Sequence, residues 1–106
     1  MRQLQQGDVL LQEIKALPEG VTPVKPRNDG RHILAEGEEH GHAHAIKDLD
    51  SVDLYDLNGI LYLNVKSPTP LVHEEHNTIN LPVGLFEVGQ VVEVDPFEQE
   101  IHRVRD

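Results

Sequence analysis

The sequence has no cysteine and few aromatic residues. The absence of cysteine excludes disulfides, thiolate metal ligands and a cysteine nucleophile, and it is compatible with a reducing cytoplasm. Ser51 and Ser67 are the only serines, and neither stands in a Gly-x-Ser-x-Gly elbow. The sequence also contains no Gly-x-Gly-x-x-Gly motif and no P-loop. Common signatures of serine hydrolases and of nucleotide binding are therefore missing.

Long apolar runs are missing as well. No stretch approaches the ~20 apolar residues that a membrane-spanning helix requires. The N-terminal segment MRQLQQGDVLLQEI lacks the apolar region of a signal peptide. We therefore expect a soluble, cytoplasmic protein that does not associate with membranes.

Positive charge is scarce, because 9 Lys and Arg stand against 19 Asp and Glu, which gives a formal net charge of −10. Nucleic-acid binding usually needs a basic footprint that neutralises phosphates. The basic residues here are scattered, so we expect no nucleic-acid partner. An acidic surface keeps a protein soluble and is compatible with binding of cations.

Length and composition indicate one domain over residues 1–106 with a modest core. Small domains with a low apolar fraction often gain stability from a metal or from oligomerisation. Glycine and proline interrupt the chain every ~8–12 residues, which is typical of an all-β domain. The sequence therefore predicts a small, mainly antiparallel β-barrel or sandwich of about seven to nine strands without any long helix.

The first half of the chain shows four segments of different character. Residues 7–14 read as a buried first strand. Residues 17–30 contain three prolines and two glycines, so we predict a long surface loop rather than a central strand or a helix. Residues 31–37 and 42–46 read as two strands that are joined by a turn at EEHG.

The clearest local signal is SVDLYDLNGILYLNV, residues 51–65. Asn58 and Gly59 tolerate positive φ and stand between two β-rich runs, which predicts a two-residue type I′ hairpin. The turn fixes the register. The expected cross-strand pairs are Leu57 with Ile60, Tyr55 with Tyr62, Leu54 with Leu63, and Val52 with Val65.

In the last third of the chain, the sequence pattern predicts a strand, a turn, a short strand, a Pro-x-Gly turn and a longer strand over residues 71–94. Gly89 is expected to mark a bulge in the longer strand.

The tail DPFEQEIHRVRD has two readings. Asp95, Pro96 and Glu98 resemble the start of a short helical turn, with the capping residue followed by proline and glutamate. A final strand at IHRV is the alternative.

Histidines carry the strongest functional signal. His42 and His44 are two residues apart in a predicted strand, so their side chains share one face with Cβ atoms ~6–7 Å apart. Two imidazoles at that spacing can converge on one metal ion. Ala43 and Ala45 then face the other way.

The second cluster is HEEH, residues 73–76. His73 and His76 do not share a face on a regular strand, but they do where the chain turns, and the following Asn-Thr favours a turn. We therefore predict a divalent-metal site with ligands His42, His44, His73 and His76. Imidazole suits Zn, Ni, Cu, Mn or Fe without choosing among them.

Other residues are weaker candidates. His40 and Glu36 are further candidate ligands, or groups that fix a histidine tautomer. Glu74 and Glu75 are candidate general bases toward a metal-bound water. His32 and His102 stand alone and read as surface or hydrogen-bonded residues. The spacing leaves open whether the metal is structural or catalytic, and it names no substrate.

The segments QGDVLL, LAEGEEHGHAH, LVHEEHNTINLPVG and DPFEQEIHRVRD resemble a family of small, mostly uncharacterised bacterial and phage-associated proteins. They cover most of the chain, but the resemblance implies no established activity. Gly37 with His42 and His44 also resembles the first cupin motif, which implies a small β-barrel with an inward metal site. The LPVG turn follows His73 and His76 instead of preceding them, so the resemblance extends only to His42 and His44.

Two classes of function follow from these observations. The first is a metal-binding β-barrel protein, which includes a metal-dependent enzyme. The second is a non-enzymatic homo-oligomeric module in which sheet edges or the Pro-rich loop form the contacts and the histidines line an interface.

Overall fold

The protein is built from antiparallel β-strands, as the sequence predicts. The computed structural model describes residues 1–37, 41–95 and 98–103. Within these ranges there is one short 3-10 turn at Leu49–Ser51 and no helix of the length that crossing a bilayer requires. The strands are β1 Gln3–Gln6, β2 Val9–Ile14, β3 Thr22–Pro23, β4 His32–Glu36, β5 Ala43–Ile46, β6 Val52–Leu57, β7 Ile60–Val65, β8 Thr69–Leu71, β9 Ile79–Leu81, β10 Gly84–Asp95 and β11 Glu98–Arg103.

The described strands form one large sheet and two small hairpins. The large sheet has the order β1-β2-β10-β7-β6-β3, with β11 also paired to β10, while β4 pairs with β5 and β8 with β9. The sheets do not close into a barrel. An isolated bridge joins the two hairpins, because Ala45 and Val72 exchange backbone hydrogen bonds of 2.9 Å in both directions. This bridge brings the HAHAI strand beside the start of the HEEH segment.

The predicted hairpin at residues 51–65 is confirmed, with all four expected cross-strand pairs in register. Asn58 and Gly59 adopt φ of 53° and 84°, the positive values that a type I′ turn requires. The strong asparagine-glycine signal therefore determined both the turn and the pairing of β6 with β7.

The predicted strand count is too low, because the described residues form eleven strands. One additional strand is β3, two residues inside the predicted loop 17–30, which pairs at the sheet edge with Tyr55 and Asp56. Proline is tolerated there because one side of an edge strand needs no hydrogen-bond donor. The irregularity in β10 lies between Glu93 and Asp95 rather than at Gly89.

The short C-terminal helical turn is wrong, and the alternative of a final strand is correct. Residues 98–103 form β11, which pairs antiparallel with β10 from Gly89 to Asp95. The long strand β10 continues past the residues that pair with β7, so its backbone groups need another partner. Pairing with β11 meets this requirement, and it outweighs the local capping signal at Asp95.

The core is shared by all three sheets. Buried side chains on one face of the large sheet pack with Leu34 and Ile46 from one hairpin and with Leu71 and Leu81 from the other. At the centre lies Phe86 of β10, which is fully buried and stands opposite Leu63. The two hairpins therefore cover one face of the large sheet.

Phe86→Ala removes the largest side chain that is fully buried among those the structure describes, and it leaves a cavity where the three sheets meet. We expect the free energy of unfolding to fall by about 3–5 kcal/mol, measured by urea denaturation. Val83→Ala is the matched control, because Val83 is 53% exposed and its truncation should change stability by less than about 0.5 kcal/mol. Equal effects of the two substitutions would contradict this assignment of the core.

Candidate functional site

The four histidines of the two clusters meet at one cavity of about 430 Å³. His42 and His44 enter from the start of β5, and His73 and His76 from the bend after β8. The ring centroids lie 4.3 Å apart for His44 and His73, 4.6 Å for His73 and His76, 5.8 Å for His44 and His76, and 6.0 Å for His42 and His73. The fold thus brings together all four imidazoles that the sequence selects.

Gln6 anchors the most buried of these rings. His44 is 1% exposed, and its Nδ1 lies 2.9 Å from Oε1 of Gln6. The amide Nε2 of Gln6 donates to the carbonyls of Leu71 and Asn77 at 2.8 and 2.9 Å. Because both of those partners are acceptors, the amide orientation is fixed and its oxygen faces His44. Nδ1 of His44 therefore carries a proton and donates it to Gln6.

Asp8 faces the other side of the same ring. Its Oδ1 lies 3.3 Å from Nε2 of His44, and its Oδ2 accepts a hydrogen bond from the side chain of Gln90. Burial raises the pKa of Asp8, but hydrogen bonds from Gln90 and its own backbone, together with His44, lower it overall. Burial lowers the pKa of His44, His73 lowers it further, and Asp8 raises it in part. In the neutral form of His44, this carboxylate faces the lone pair of Nε2.

His73 and His42 have different environments. Nδ1 of His73 accepts a hydrogen bond of 3.0 Å from the backbone N–H of Glu75, which leaves the proton of the neutral ring on Nε2. Nδ1 of His42 is buried and has no hydrogen-bond partner among the residues that the structure describes, and Oε1 of Glu75 lies 3.5 Å from it.

Two glycines make room for the rings. A Cβ on Gly7 would lie 2.5 Å from Nε2 of His76, and φ at Gly7 is +56°. A Cβ on Gly37 would lie 3.1 Å from both Nε2 of His73 and Cβ of His42. The turn at Gly7 and the end of β4 at Gly37 therefore approach the histidines at distances that a larger residue would not allow.

The two candidate bases differ in position. Oε1 of Glu74 accepts a 2.8 Å hydrogen bond from the backbone N–H of Ala43, and this bond is the main reason that the pKa of Glu74 is lowered. Glu74 therefore ties the bend to β5. Glu75 lines the cavity beside His42. Glu36 also lines it and forms an exposed ion pair of 3.0 Å with Arg27.

The side chains at the histidine cavity do not form a preorganised metal-coordination site. In the part of the chain that the structure describes, no group of three or more His, Asp or Glu side chains is arranged to hold a metal ion directly. The hydrogen bond from Glu75 engages Nδ1 of His73, whereas that of His44 to Gln6 uses Nδ1 and leaves Nε2 directed at Asp8. Coordination by either ring nitrogen of His73 would displace its hydrogen bond from the backbone N–H of Glu75.

Sequence reasoning missed Gln6, Asp8 and Gln90. Gln6 and Asp8 flank a glycine at a hairpin turn, where such residues are common for local reasons, so the sequence carries no distinctive signal for them. His32 differs from the expectation of a surface or hydrogen-bonded residue, because it is buried and its Nδ1 has no hydrogen-bond partner among the described residues. His40 lies outside the described residues, and the role expected of it is not addressed by the structure.

Burial lowers the pKa of His32 below its usual 6.5, against a smaller opposing effect of Asp53. As the pH falls through about 6.5, His32 is therefore protonated in the unfolded chain before it is protonated in the folded protein. The folded state then loses stability relative to the unfolded state. We expect the free energy of unfolding to fall more steeply between about pH 7.5 and 5.5 for the wild type than for His32→Leu. His44 is present in both proteins, so equal slopes in urea denaturation would contradict the prediction.

Gln6→Leu removes an amide that meets three buried or half-buried polar groups at once. We expect a loss of roughly 1–3 kcal/mol in the free energy of unfolding for each group left without a partner. Gln3→Leu on the same strand is the control, because Gln3 is exposed. A Gln6→Leu protein as stable as Gln3→Leu in urea denaturation would show that the contact is not important.

The comparisons with known proteins give a family and no activity. Comparisons with curated proteins and with solved structures found no match, so the resemblance to cupins gains no support. One family model matches residues 5–90, which include Gln6, Asp8 and both histidine clusters. The chain therefore belongs to the family described as Domain of unknown function (DUF8820).

Proposed function

We propose that the protein binds one divalent transition-metal ion in the histidine cavity. The observation that carries the proposal is the contact between Nε2 of His44 and Oδ1 of Asp8 at 3.3 Å. Oε1 of Gln6 accepts the hydrogen bond from Nδ1–H of His44, so in the neutral ring the lone pair of Nε2 faces a carboxylate. Two acceptors repel each other unless a proton or a cation lies between them. A metal ion bound by both groups removes the repulsion. Gln6 then orients the ligating histidine by accepting a hydrogen bond from its other ring nitrogen, as is typical of metal sites.

The donor set fits this class of ion. Imidazole and carboxylate donors without any thiolate suit Zn, Ni, Mn or Fe(II). With metal–nitrogen bonds of about 2.0–2.1 Å, two rings on one ion have centroids about 4.5–5.5 Å apart, and the observed 4.3–6.0 Å brackets this range. We propose His42, His44, His73 and His76 as ligands together with Asp8. Of these, His73 joins only after its hydrogen bond with Glu75 is exchanged.

The proposed ion is accessible from one side. Asp8, Glu75 and His76 are exposed, and the cavity leaves space beside the rings. Structural metal sites are closed by four protein ligands, whereas catalytic sites keep a position for water or substrate. The five proposed ligands leave one position free on a six-coordinate ion, and a free position on the accessible side favours a functional role. Glu75 rather than Glu74 is then the proposed base toward water at that position. We retain a cytoplasmic location as part of the proposal.

Metal-free protein should bind one Zn²⁺ or Ni²⁺ per chain in isothermal titration calorimetry. Asp8→Asn and His76→Ala each remove a proposed ligand at the accessible side, and we expect them to weaken binding by at least about 10–100-fold. Asp50→Asn and His32→Gln are matched controls outside the cavity and should bind like the wild type. Absence of binding for Zn, Ni, Mn and Fe(II), or equal affinity of Asp8→Asn and Asp50→Asn, would refute the site.

Thermal melts and light scattering, each with and without chelator, distinguish the roles of the metal. A functional site predicts a metal-free protein that stays folded and gains about 2.7 kcal/mol when free metal is 100-fold above its dissociation constant. Unfolding of the metal-free wild type would indicate a structural metal instead. An oligomer that is insensitive to chelator and carries no metal would favour the non-enzymatic module.

A further inference from the structure

A second cavity, of about 240 Å³, is lined by a different set of residues from the histidine cavity. Its walls come from the segment after β3, from the start of β4 and from the β6–β7 hairpin. We propose that this cavity binds a small organic carboxylate with a short apolar body. The proposal does not depend on metal binding.

Apolar side chains form the inner wall of this cavity. Leu54 and Leu61 are each 3% exposed and lie on adjacent strands. Val24 and Ile33 complete the apolar surface and are half-buried. Val24 and Ile33 keep accessible apolar surface, and this favours a ligand with a hydrocarbon part, because binding removes that surface from water.

A buried polar atom in the wall needs a partner. His32 is only 5% exposed, and its Nδ1 has no hydrogen-bond partner in the described part of the chain. Buried polar groups are nearly always hydrogen-bonded, so an exception of this kind indicates a missing ligand or water. A neutral imidazole can carry its proton on Nδ1, and a small movement of the wall would let this N–H donate to an oxygen atom of the ligand.

Two cations at the cavity select an anion. Lys25 and Arg27 are exposed and line the cavity, in a chain whose formal net charge is −10. Arg27 is paired with Glu36 at 3.0 Å, but both side chains are more than half exposed, and exposed pairs of this kind are weak and exchangeable. The planar guanidinium suits a carboxylate, which it binds through two parallel hydrogen bonds. Lys25, Arg27 and His32 can therefore hold the carboxylate while the leucines contact the apolar part.

The size of the cavity limits the ligand. Pockets for drug-sized molecules have volumes of about 300–1,000 Å³, and this cavity is smaller. A carboxylate with a chain of about six carbons is of suitable size. Hexanoate is therefore the probe, with hexanol and inorganic phosphate as its uncharged and purely ionic counterparts.

The test is titration of the ¹⁵N-labelled protein with hexanoate, followed by amide NMR. We expect saturable shifts at residues 24–33 and at Leu54 and Leu61. Lys25→Gln combined with Arg27→Gln should weaken binding at least tenfold, whereas Lys15→Gln, an exposed lysine elsewhere, should bind like the wild type. Because the substituted side chains are exposed, the variants are expected to fold, and their melting temperatures check this.

Three results would overturn the proposal. The first is the absence of saturable shifts with hexanoate, or shifts confined to the histidine cavity. The second is equal affinity for hexanol, which would mean that the cations select nothing. The third is equal affinity for phosphate, which would mean that the apolar wall contributes nothing.

Discussion

The buried side-chain amide of Gln6 is the contact on which the arrangement of the histidine site depends. It links the end of β1 to two carbonyls that flank the HEEH bend, those of Leu71 and Asn77, and to the ring of His44. Each polar atom of the amide has a partner, and leaving such a group unpaired inside a protein is costly. The same contact assigns the proton of His44 to Nδ1 and directs Nε2 toward Asp8. Fold and site chemistry are therefore connected through one side chain.

Local signals in the sequence predicted much of the fold and the central histidines. The Asn58–Gly59 turn dictates its own register, and the spacing of His42 and His44 follows from the two-residue period of a strand. Gln6 could not be predicted, because its partners lie 38, 65 and 71 residues away. The C-terminal strand was missed for a similar reason, since the unpaired backbone of β10 is a tertiary requirement that the local capping pattern does not contain.

The small hairpin strand β4 connects the two cavities of the protein. His32 and Ile33 at its start line the second cavity, and Glu36 at its end lines the histidine cavity. The ion pair between Arg27 and Glu36 crosses from one to the other. Both cavities lie where a hairpin meets the large sheet. Each is lined by an imidazole, of His42 or His32, whose buried Nδ1 has no hydrogen-bond partner within residues 1–37, 41–95 and 98–103.

The most direct measurement of the central claim is long-range ¹H–¹⁵N NMR of the histidine rings during a Zn²⁺ titration near pH 7.5. The account predicts that Nδ1 of His44 is protonated in the metal-free protein and that Nε2 shifts on addition of one equivalent of Zn²⁺, with Nδ1 still protonated. The contradicting result is that Nε2 of His44 carries a proton that it donates to Asp8 and does not respond to excess Zn²⁺. A proton, and not a metal ion, would then remove the repulsion between the two groups.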